Sequence, residues 1–531
     1  MHSKKIFMYD TTLRDGAQAE EVTFSLEDKL TIAEALDSFG IDYIEGGWPG
    51  SNPKDANFFK QVSKLNLKHA KIAAFGATCH PKSEPGNDNN VQLLLAANTP
   101  VVTVVGKSWD MQAKKVLSCS LKRNVELIFD TISFLVKYRD EVIFDAEHFF
   151  DGFKANPEYA LSTLEAATQA GASSVTLCET NGGILSFDIE AIVKAVRTRF
   201  SDMALGIHCH NDSDSAVANS ITAVRGGVRY VQGTINGIGE RCGNANLCSI
   251  IPNLQLKLGY KVVSPSKLKK LRELSLLVYE LANIARRPHQ PYVGRSAFAH
   301  KGGIHVAAVM KISKAYEHIE PELVGGTRRI LISDLSGKSN ILTKAEEFGL
   351  VLDKSDPKTK AVLTKLKESE NLGYQFEGAD ASFELLMRKV LGQWKQKFEV
   401  IRARVVSNFN DHKGSNWAEA VIKIELPDGS SSHSVAEGNG PVNALDLALR
   451  EVLSNYYPQI KEVKLLDFKV RLVDSKSKTA AVTRVLIESG DGIRRWGSVG
   501  VSPNVIEAAW LALLDSLEYK LHMTKQSSKP K

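Results

Sequence analysis

Residues 141–180 read EVIFDAEHFFDGFKANPEYALSTLEAATQAGASSVTLCET and contain one complete strand, helix and strand pattern. The runs EVIFDAEH and SVTLCET are rich in apolar and β-branched residues, which is typical of buried strands. Between them, PEYALSTLEAATQAG places apolar residues at helical spacing and ends in the glycine that commonly terminates a helix. A strand, a helix and a second strand in this order predict a βαβ unit, in which the two strands are parallel.

The same alternation extends from Lys5 to Gly259 and gives eight strand candidates. They are KIFMYD (5–10), YIEGGW (43–48), KIAAFG (71–76), VVTVVG (101–106), EVIFDAEH (141–148), SVTLCET (174–180), ALGIHCHN (204–211) and RYVQGTIN (229–236). Eight βα units in about 255 residues predict an α/β fold of the (β/α)8 TIM barrel type, and a doubly wound open sheet is the alternative. In such barrels the active site lies at the C-terminal ends of the strands.

The rest of the chain predicts two further parts and a tail. The stretch after the barrel is mainly helical, and two copies of a β-β-β-α pattern follow it, with Asp-Gly turns at Asp428 and Asp491, 63 residues apart. The pattern contains no cluster of carboxylates or histidines, so it suits effector binding or dimerisation better than chemistry. The expected parts are a catalytic barrel at 1–262, a helical linker at 263–396, a regulatory α+β domain at 397–522 and a flexible tail at 523–531.

The composition indicates a soluble intracellular protein. No stretch approaches the ~18 consecutive apolar residues that a membrane-spanning helix needs, and the N-terminus lacks the apolar core of a secretory signal. The six cysteines are scattered without a C-x-x-C pair, as in proteins with reduced thiols. The net charge of +6 is small for 531 residues and is not gathered into blocks. We therefore expect a cytoplasmic protein that binds neither membranes nor nucleic acid.

The sequence HCHND, residues 208–212, ends the seventh strand candidate. Side chains two positions apart in a strand share a face, so His208 and His210 both point toward the mouth of the predicted barrel while Cys209 points away. Two close imidazoles repel each other when protonated, and a shared metal ion removes that repulsion. Two histidines satisfied by hydrogen bonds are the competing interpretation.

The segments after the first and eighth strand candidates offer oxygen ligands. DTTLRDGAQ (residues 10–18) contains Arg14 and Asp15, and GTINGIGERCGNANL (233–247) contains Asn244. Two histidine nitrogens with a carboxylate and an amide oxygen suit Mn, Mg, Zn or Co with open positions, rather than cysteine-rich structural zinc. An ordinary ion pair between Arg14 and Asp15 is the competing interpretation. The glycines of the second segment miss the G-x-G-x-x-G spacing, so no dinucleotide site is expected.

Two more polar residues lie at the C-terminal ends of strand candidates, at the same rim. Glu147 lies at the end of the fifth candidate and Thr180 at the end of the sixth. Each is unremarkable alone, but polar residues after strands one, five, six, seven and eight are hard to produce by chance. Together they predict one site at the mouth of the barrel.

The three motifs, in this order and at these strand ends, resemble those of the metal-dependent acyl-CoA-condensing barrel enzymes, the family of 2-isopropylmalate, homocitrate and citramalate synthases. The resemblance is highly specific. It includes GGIHVAAV around His305 and the two repeats, and it therefore covers nearly the whole chain. Within the family, the stretches GGWPGSNPKD (46–55), DAEHFFDGF (145–153) and YEHIEPELVGGTRRILISDLSGKSN (316–340) are most similar to citramalate synthases. This implies condensation of acetyl-CoA with pyruvate, and 2-isopropylmalate synthase or homocitrate synthase is the alternative.

The resemblance also implies a role for each candidate residue. The implied metal ligands are Asp15, His208, His210 and Asn244. Arg14 would polarise the ketone, and Thr180 would bind the carboxylate of pyruvate. Glu147 and His305 are the candidate bases for the methyl group of acetyl-CoA. His305 and the substrate-binding candidate Tyr316 would come from the helical region, of the same or a neighbouring subunit.

Finally, the resemblance implies a homodimer whose repeats bind the end product of the pathway, which is isoleucine for a citramalate synthase. A lyase or carboxyltransferase on the same barrel is a second class of function. Such relatives lack a repeat domain of this kind, and a carboxyltransferase needs a lysine and a biotin partner that the sequence does not offer. A third class is an amino-acid sensor without catalysis, which the intact set of ligand residues argues against.

Overall fold

A computed structural model describes residues 4–409, 417–474 and 478–526 of the chain. They form two compact units, Met1–Phe298 with Ile319–Arg328, and Ala299–His318 with Arg329–Lys531. All six cysteines are free thiols. None of the described helices combines the length and the apolar character that crossing a membrane requires.

Eight parallel strands of the first unit close into a barrel, which confirms the predicted (β/α)8 fold and excludes the open sheet. The strands are β1 Phe7–Asp10, β2 Tyr43–Gly47, β3 Lys71–Ala77, β4 Val101–Lys107, β5 Glu141–Glu147, β6 Ser174–Glu179, β7 Leu205–Cys209 and β8 Tyr230–Gly233. The barrel closes between β1 and β8, where Phe7 lies opposite Tyr230. Each strand matches one predicted run to within three residues at either end.

Helices cover the outside of the barrel. They are α1 Leu26–Phe39, α2 Pro53–Val62, α3 Asn89–Ala96, α4 Asp110–Lys115, α5 Leu121–Leu135, α6 Phe149–Ala155, α7 Pro157–Gln169, α8 Ser186–Arg199, α9 Ala216–Arg225, α10 Leu247–Pro252, α11 Pro265–Leu268 and α12 Leu271–Leu281. Local sequence defines their ends: Ser25 and Asp28 form a reciprocal capping box before α1, and Gly40 ends it with a φ of 99°. Leu268 and Leu274 of the last two helices belong to the apolar core of this unit, so its helical cover continues past residue 262.

The barrel interior is apolar at one end and polar at the other. Tyr43 and Val101, the first residues of β2 and β4, belong to a buried cluster inside the barrel. Further along the strands, Glu45 and Gln232 are buried polar residues. The apolar layer closes the N-terminal end of the barrel, so the polar C-terminal end is the one that receives a ligand.

The second unit begins with short strands and helices. They are β9 Ala299–His300, α13 Gly303–Val309, β10 Arg329–Ile330, α14 Lys338–Glu347, α15 Pro357–Asn371 and α16 Asp380–Val390. The two strands pair in parallel. The last three helices share a core that includes Ile341, Leu366 and Phe383.

The two predicted β-β-β-α repeats complete the second unit. The first contains β11 Glu399–Asn408, β12 Trp417–Glu425, β13 Ser431–Gly438 and α17 Pro441–Ser454, and the second contains β14 Lys464–Leu472, β15 Thr483–Gly490, β16 Arg495–Ser502 and α18 Val505–Gln526. In each copy, the middle strand pairs antiparallel with both others. Asp428 and Asp491 each accept backbone hydrogen bonds in their predicted turns. α18 continues to Gln526, past residue 523 where the sequence predicts a tail, and residues 527–531 of that tail lie outside the described residues.

Candidate active site

Three metal-ligand side chains meet at the C-terminal end of the barrel. His208 Nε2 lies 3.3 Å from Asp15 Oδ2 and 3.4 Å from His210 Nε2, and His210 Nε2 lies 3.8 Å from Asp15 Oδ2. All three residues are buried. Cys209, between the two histidines, packs into the apolar core outside the barrel. The structure therefore brings Asp15, His208 and His210 together, as their motifs predict.

Several buried polar atoms here have no hydrogen-bond partner among the described residues. They are Asp15 Oδ1, His210 Nδ1, Asn244 Oδ1 and Asn244 Nδ2. Asn244 is 1 % exposed and forms an antiparallel backbone bridge with His210. Unpaired buried polar atoms destabilise a protein, and a divalent cation satisfies carboxylate and amide oxygens and imidazole nitrogens. The residues present fit such an ion.

The charges of the three side chains depend on one another. Burial would raise the pKa of Asp15, but Arg14 and His208 together hold it well below its ordinary value. Burial would lower the pKa of His208, but the hydrogen bond to Asp15 and its charge raise it. Burial and the neighbouring His208 lower the pKa of His210 to about 3. Asp15 is therefore an anion and His210 a neutral imidazole, which are the ligand forms that metal ions bind.

Arg14 lies beside the three residues and is held by its surroundings. Its Nε donates to Glu45 Oε2, its NH1 lies 3.4 Å from Asp15 Oδ2, and its guanidinium carbon lies 4.0 Å from the centre of the Phe75 ring. Glu45 is fully buried and also accepts a hydrogen bond of 2.8 Å from Tyr9. Burial would lower the pKa of Arg14, but Glu45 and Asp15 raise it. Arg14 is thus a fixed cation next to the ligand cluster.

A cavity of about 510 Å³ opens above these groups. Its wall includes Arg14, Asp15, His208, His210, Glu147 and Thr180. Glu147 forms an ion pair with Lys107, which lines the same cavity. The Thr180 hydroxyl accepts a hydrogen bond of 2.9 Å from the backbone N–H of His148. Both rim residues predicted from the sequence therefore face the space in which a small ligand would meet the ligand cluster.

His305 and Tyr316 lie in the second unit. Their ring centres are 4.3 Å apart, and both side chains are exposed. The structure thus places these two candidates next to each other. Their contribution to catalysis at the barrel stays a prediction.

The buried groups that support the site are not among the residues predicted from the sequence. Glu45 in β2, Asp145 in β5 and Gln232 in β8 are polar side chains inside otherwise apolar strands, and each is at most 3 % exposed. Gln232 connects His208 to Asp145 by hydrogen bonds of 2.9 Å on either side. A polar residue inside an apolar strand is the signal that identifies such positions, because a strand rarely buries one without a partner.

The chain is a closed barrel with a buried Asp-His-His cluster at its C-terminal end, and it belongs to the HMGL-like class of barrel proteins. The HMGL-like family matches residues 5–278. The families described as homocitrate synthase post-HMGL domain-like and LeuA allosteric (dimerisation) domain match residues 292–373 and 377–521.

Within this class, the chain belongs to the (R)-citramalate synthase family. It is 55 % identical to the (R)-citramalate synthase of Geobacter sulfurreducens over 519 residues, which cover 98 % of each chain. It is 54 % identical to that of Aquifex aeolicus over the same length and with the same coverage. A probable 2-isopropylmalate synthase of Archaeoglobus fulgidus is 28 % identical over 525 residues, covering 98 % of this chain and 99 % of the relative. The alternative of a 2-isopropylmalate synthase therefore agrees less well with these identities than a citramalate synthase does.

Proposed function

We propose that the chain condenses acetyl-CoA with pyruvate and water to give (R)-citramalate and CoA. One observation carries the proposal: Asp15, His208 and His210 converge, with unpaired buried atoms, at the wall of a cavity that also contains Arg14. This arrangement suits a substrate that develops negative charge on a ketone oxygen. Membership of the citramalate synthase family supports pyruvate as the acceptor.

We propose that Asp15, His208, His210 and Asn244 hold a divalent ion, with Mn, Mg, Zn and Co as candidates. Such an ion supplies Lewis-acid polarisation of the keto group of a 2-oxo acid. Arg14 lies next to Asp15, so its guanidinium is placed to stabilise an oxygen bound in the same corner of the cavity. Thr180 would orient the substrate carboxylate through its hydroxyl.

Glu147 is the proposed base, because it lines the cavity and its carboxylate is paired with Lys107 in the same wall. It would accept a proton from the methyl group of acetyl-CoA. The resulting enolate carbon attacks the keto carbon of pyruvate and forms the new carbon–carbon bond, and the former ketone oxygen becomes an alkoxide beside Arg14. Protonation of the alkoxide and hydrolysis of the thioester by water then release citramalate and CoA. The hydrolysis makes the overall reaction favourable.

The choice of 2-oxo acid is tested by a thiol-release assay with acetyl-CoA, added divalent metal and a panel of acids. We expect kcat/KM for pyruvate to exceed that for 2-oxobutanoate by about 10- to 200-fold, since one methylene in a close-fitting pocket has an effect of this size. 2-Oxoisovalerate should react more slowly still. A highest value for 2-oxoisovalerate would instead favour 2-isopropylmalate synthase. Cleavage of a hydroxymethylglutaryl thioester without condensation would favour a lyase.

We further propose that the repeats at 397–522 bind isoleucine, that two chains form a dimer and that the enzyme acts in the cytoplasm. Isoleucine is then expected to slow CoA release by the full chain more than leucine does. A chain ending at Gln396 should lose isoleucine binding, measured by calorimetry, and the turnover that it retains should no longer respond to isoleucine. Undiminished binding to the shortened chain would place the effector site elsewhere.

A further inference from the structure

We propose that Gln232 is a positioning residue that selects the metal-binding form of His208, an inference that rests on the metal site proposed above. Gln232 lies on β8 inside the barrel and is 1 % exposed. Its Oε1 is 2.9 Å from His208 Nδ1. Its Nε2 donates to Asp145 Oδ1 at 2.9 Å and to Thr176 Oγ1 at 3.2 Å. The oxygen and the nitrogen of the amide thus both form hydrogen bonds, and their partners lie on three different strands, β5, β6 and β7.

The partners of Gln232 determine which way its amide points. A carboxylate accepts hydrogen bonds and offers no hydrogen, so Asp145 requires the NH₂ end of Gln232 on its side. The oxygen end must then face His208, and only a ring that carries its hydrogen on Nδ1 can donate to it. A neutral ring in that form has its lone pair on Nε2.

The freed nitrogen is the one that faces the other ligands. His208 Nε2 is 3.3 Å from Asp15 Oδ2 and 3.4 Å from His210 Nε2. When a cation takes the place of the proton that Nε2 shares with Asp15, the hydrogen bonds from His208 through Gln232 to Asp145 therefore keep the ring neutral with its lone pair directed at the cation. His210 has no such support, since its Nδ1 has no partner among the described residues. Partners of this kind orient metal-binding histidines and typically affect metal affinity by about 10- to 100-fold.

The test is the metal affinity of the full chain after Gln232→Met, which keeps the length of the side chain and removes all three hydrogen bonds. We expect the dissociation constant for Mn²⁺ or Zn²⁺, measured by competition with a chelator, to rise about 10- to 100-fold. CoA release should recover at saturating metal, because the proposed catalytic groups remain. Gln232→Asn, one methylene too short to bridge both partners, keeps an amide in the polar interior and should raise the dissociation constant in the same direction.

Asn219→Leu is the matched control for the loss of a buried amide. Asn219 on α9 is fully buried and forms hydrogen bonds of 2.9 Å with Ile184 O and Ser186 Oγ, in the helical layer. Its loss should lower the melting temperature without changing the metal dissociation constant. Unchanged metal affinity in both Gln232 variants, or an equal loss in Asn219→Leu, would overturn the positioning role. A wild-type chain that binds no divalent metal would instead overturn the proposed metal site itself.

Discussion

Replacement of His208 by alanine is expected to slow metal-dependent CoA release on the order of 10³-fold, or about 4 kcal/mol in activation free energy. His208 Nε2 lies within 3.4 Å of both neighbouring ligand atoms, so its removal takes away a central ligand and leaves Gln232 Oε1 without its donor. The measurement is kcat/KM for pyruvate across a metal titration, together with the metal content of the purified variant. Added metal should not restore the wild-type rate.

Two further variants separate loss of the ligand from loss of the fold. Asp15→Asn keeps the shape of a buried side chain and removes its charge, and it should cause a loss of similar size. His69→Ala removes a histidine that is 42 % exposed, pairs with Asp42 and precedes β3 at the opposite end of the barrel. It should leave turnover unchanged. Wild-type turnover and metal content in His208→Ala would remove this residue from the site.

The barrel was predictable because its eight strands are buried on both sides. VVTVVG in β4 and the VIF segment (142–144) of β5 are short runs of mainly apolar, β-branched or aromatic residues, whereas the helices between the strands repeat their apolar residues at helical spacing. Helix caps reinforce the pattern locally, as Ser25 and Asp28 do before α1. The predicted strand ends differ from those in the structure by up to three residues, because the composition does not change where a strand passes into the following loop.

The ligand cluster was predictable for a different reason. His208 is on β7 and His210 directly follows this strand, two positions along, and the closure of the barrel brings the end of β1 next to the end of β8. Because Asp15 follows β1, this closure places Asp15 Oδ2 3.3 Å from His208 Nε2. The support of the site was not predictable in this way, because the contacts of Glu45 and Gln232 depend on the stagger between strands rather than on their order.

The second unit sets another limit on prediction from sequence. The sequence predicts a tail from residue 523, yet α18 reaches Gln526. Earlier in this helix, Lys520 is buried and lies 2.7 Å from Glu462 and 2.8 Å from Asp491. A lysine near a chain terminus usually indicates a solvated segment, and only the tertiary position of its two carboxylate partners shows that this one is part of the domain.

Replacement of Arg14 by lysine is expected to lower kcat about 10²- to 10³-fold, with a much smaller change in KM for pyruvate. Arg14 uses Nε for Glu45 and presents NH1 beside Asp15, so one planar group both anchors itself and faces the cavity. Lysine keeps the charge but concentrates it in one ammonium group, which cannot stay paired with Glu45 and also stabilise the alkoxide. Because that negative charge develops only as the carbon–carbon bond forms, the loss falls on kcat rather than on substrate binding.

Arg197→Lys is the control for this change, because Arg197 is a second arginine held by hydrogen bonds, 2.6 Å to Met203 O and 2.7 Å to Gly227 O, away from the cavity. It should lower the melting temperature and leave kcat unchanged. Glu45→Gln should give a smaller loss of kcat than Arg14→Lys, since it loosens the guanidinium without removing it. A kcat for Arg14→Lys close to that of the wild type would mean that the alkoxide is stabilised without Arg14, and the role proposed for this residue would then be wrong.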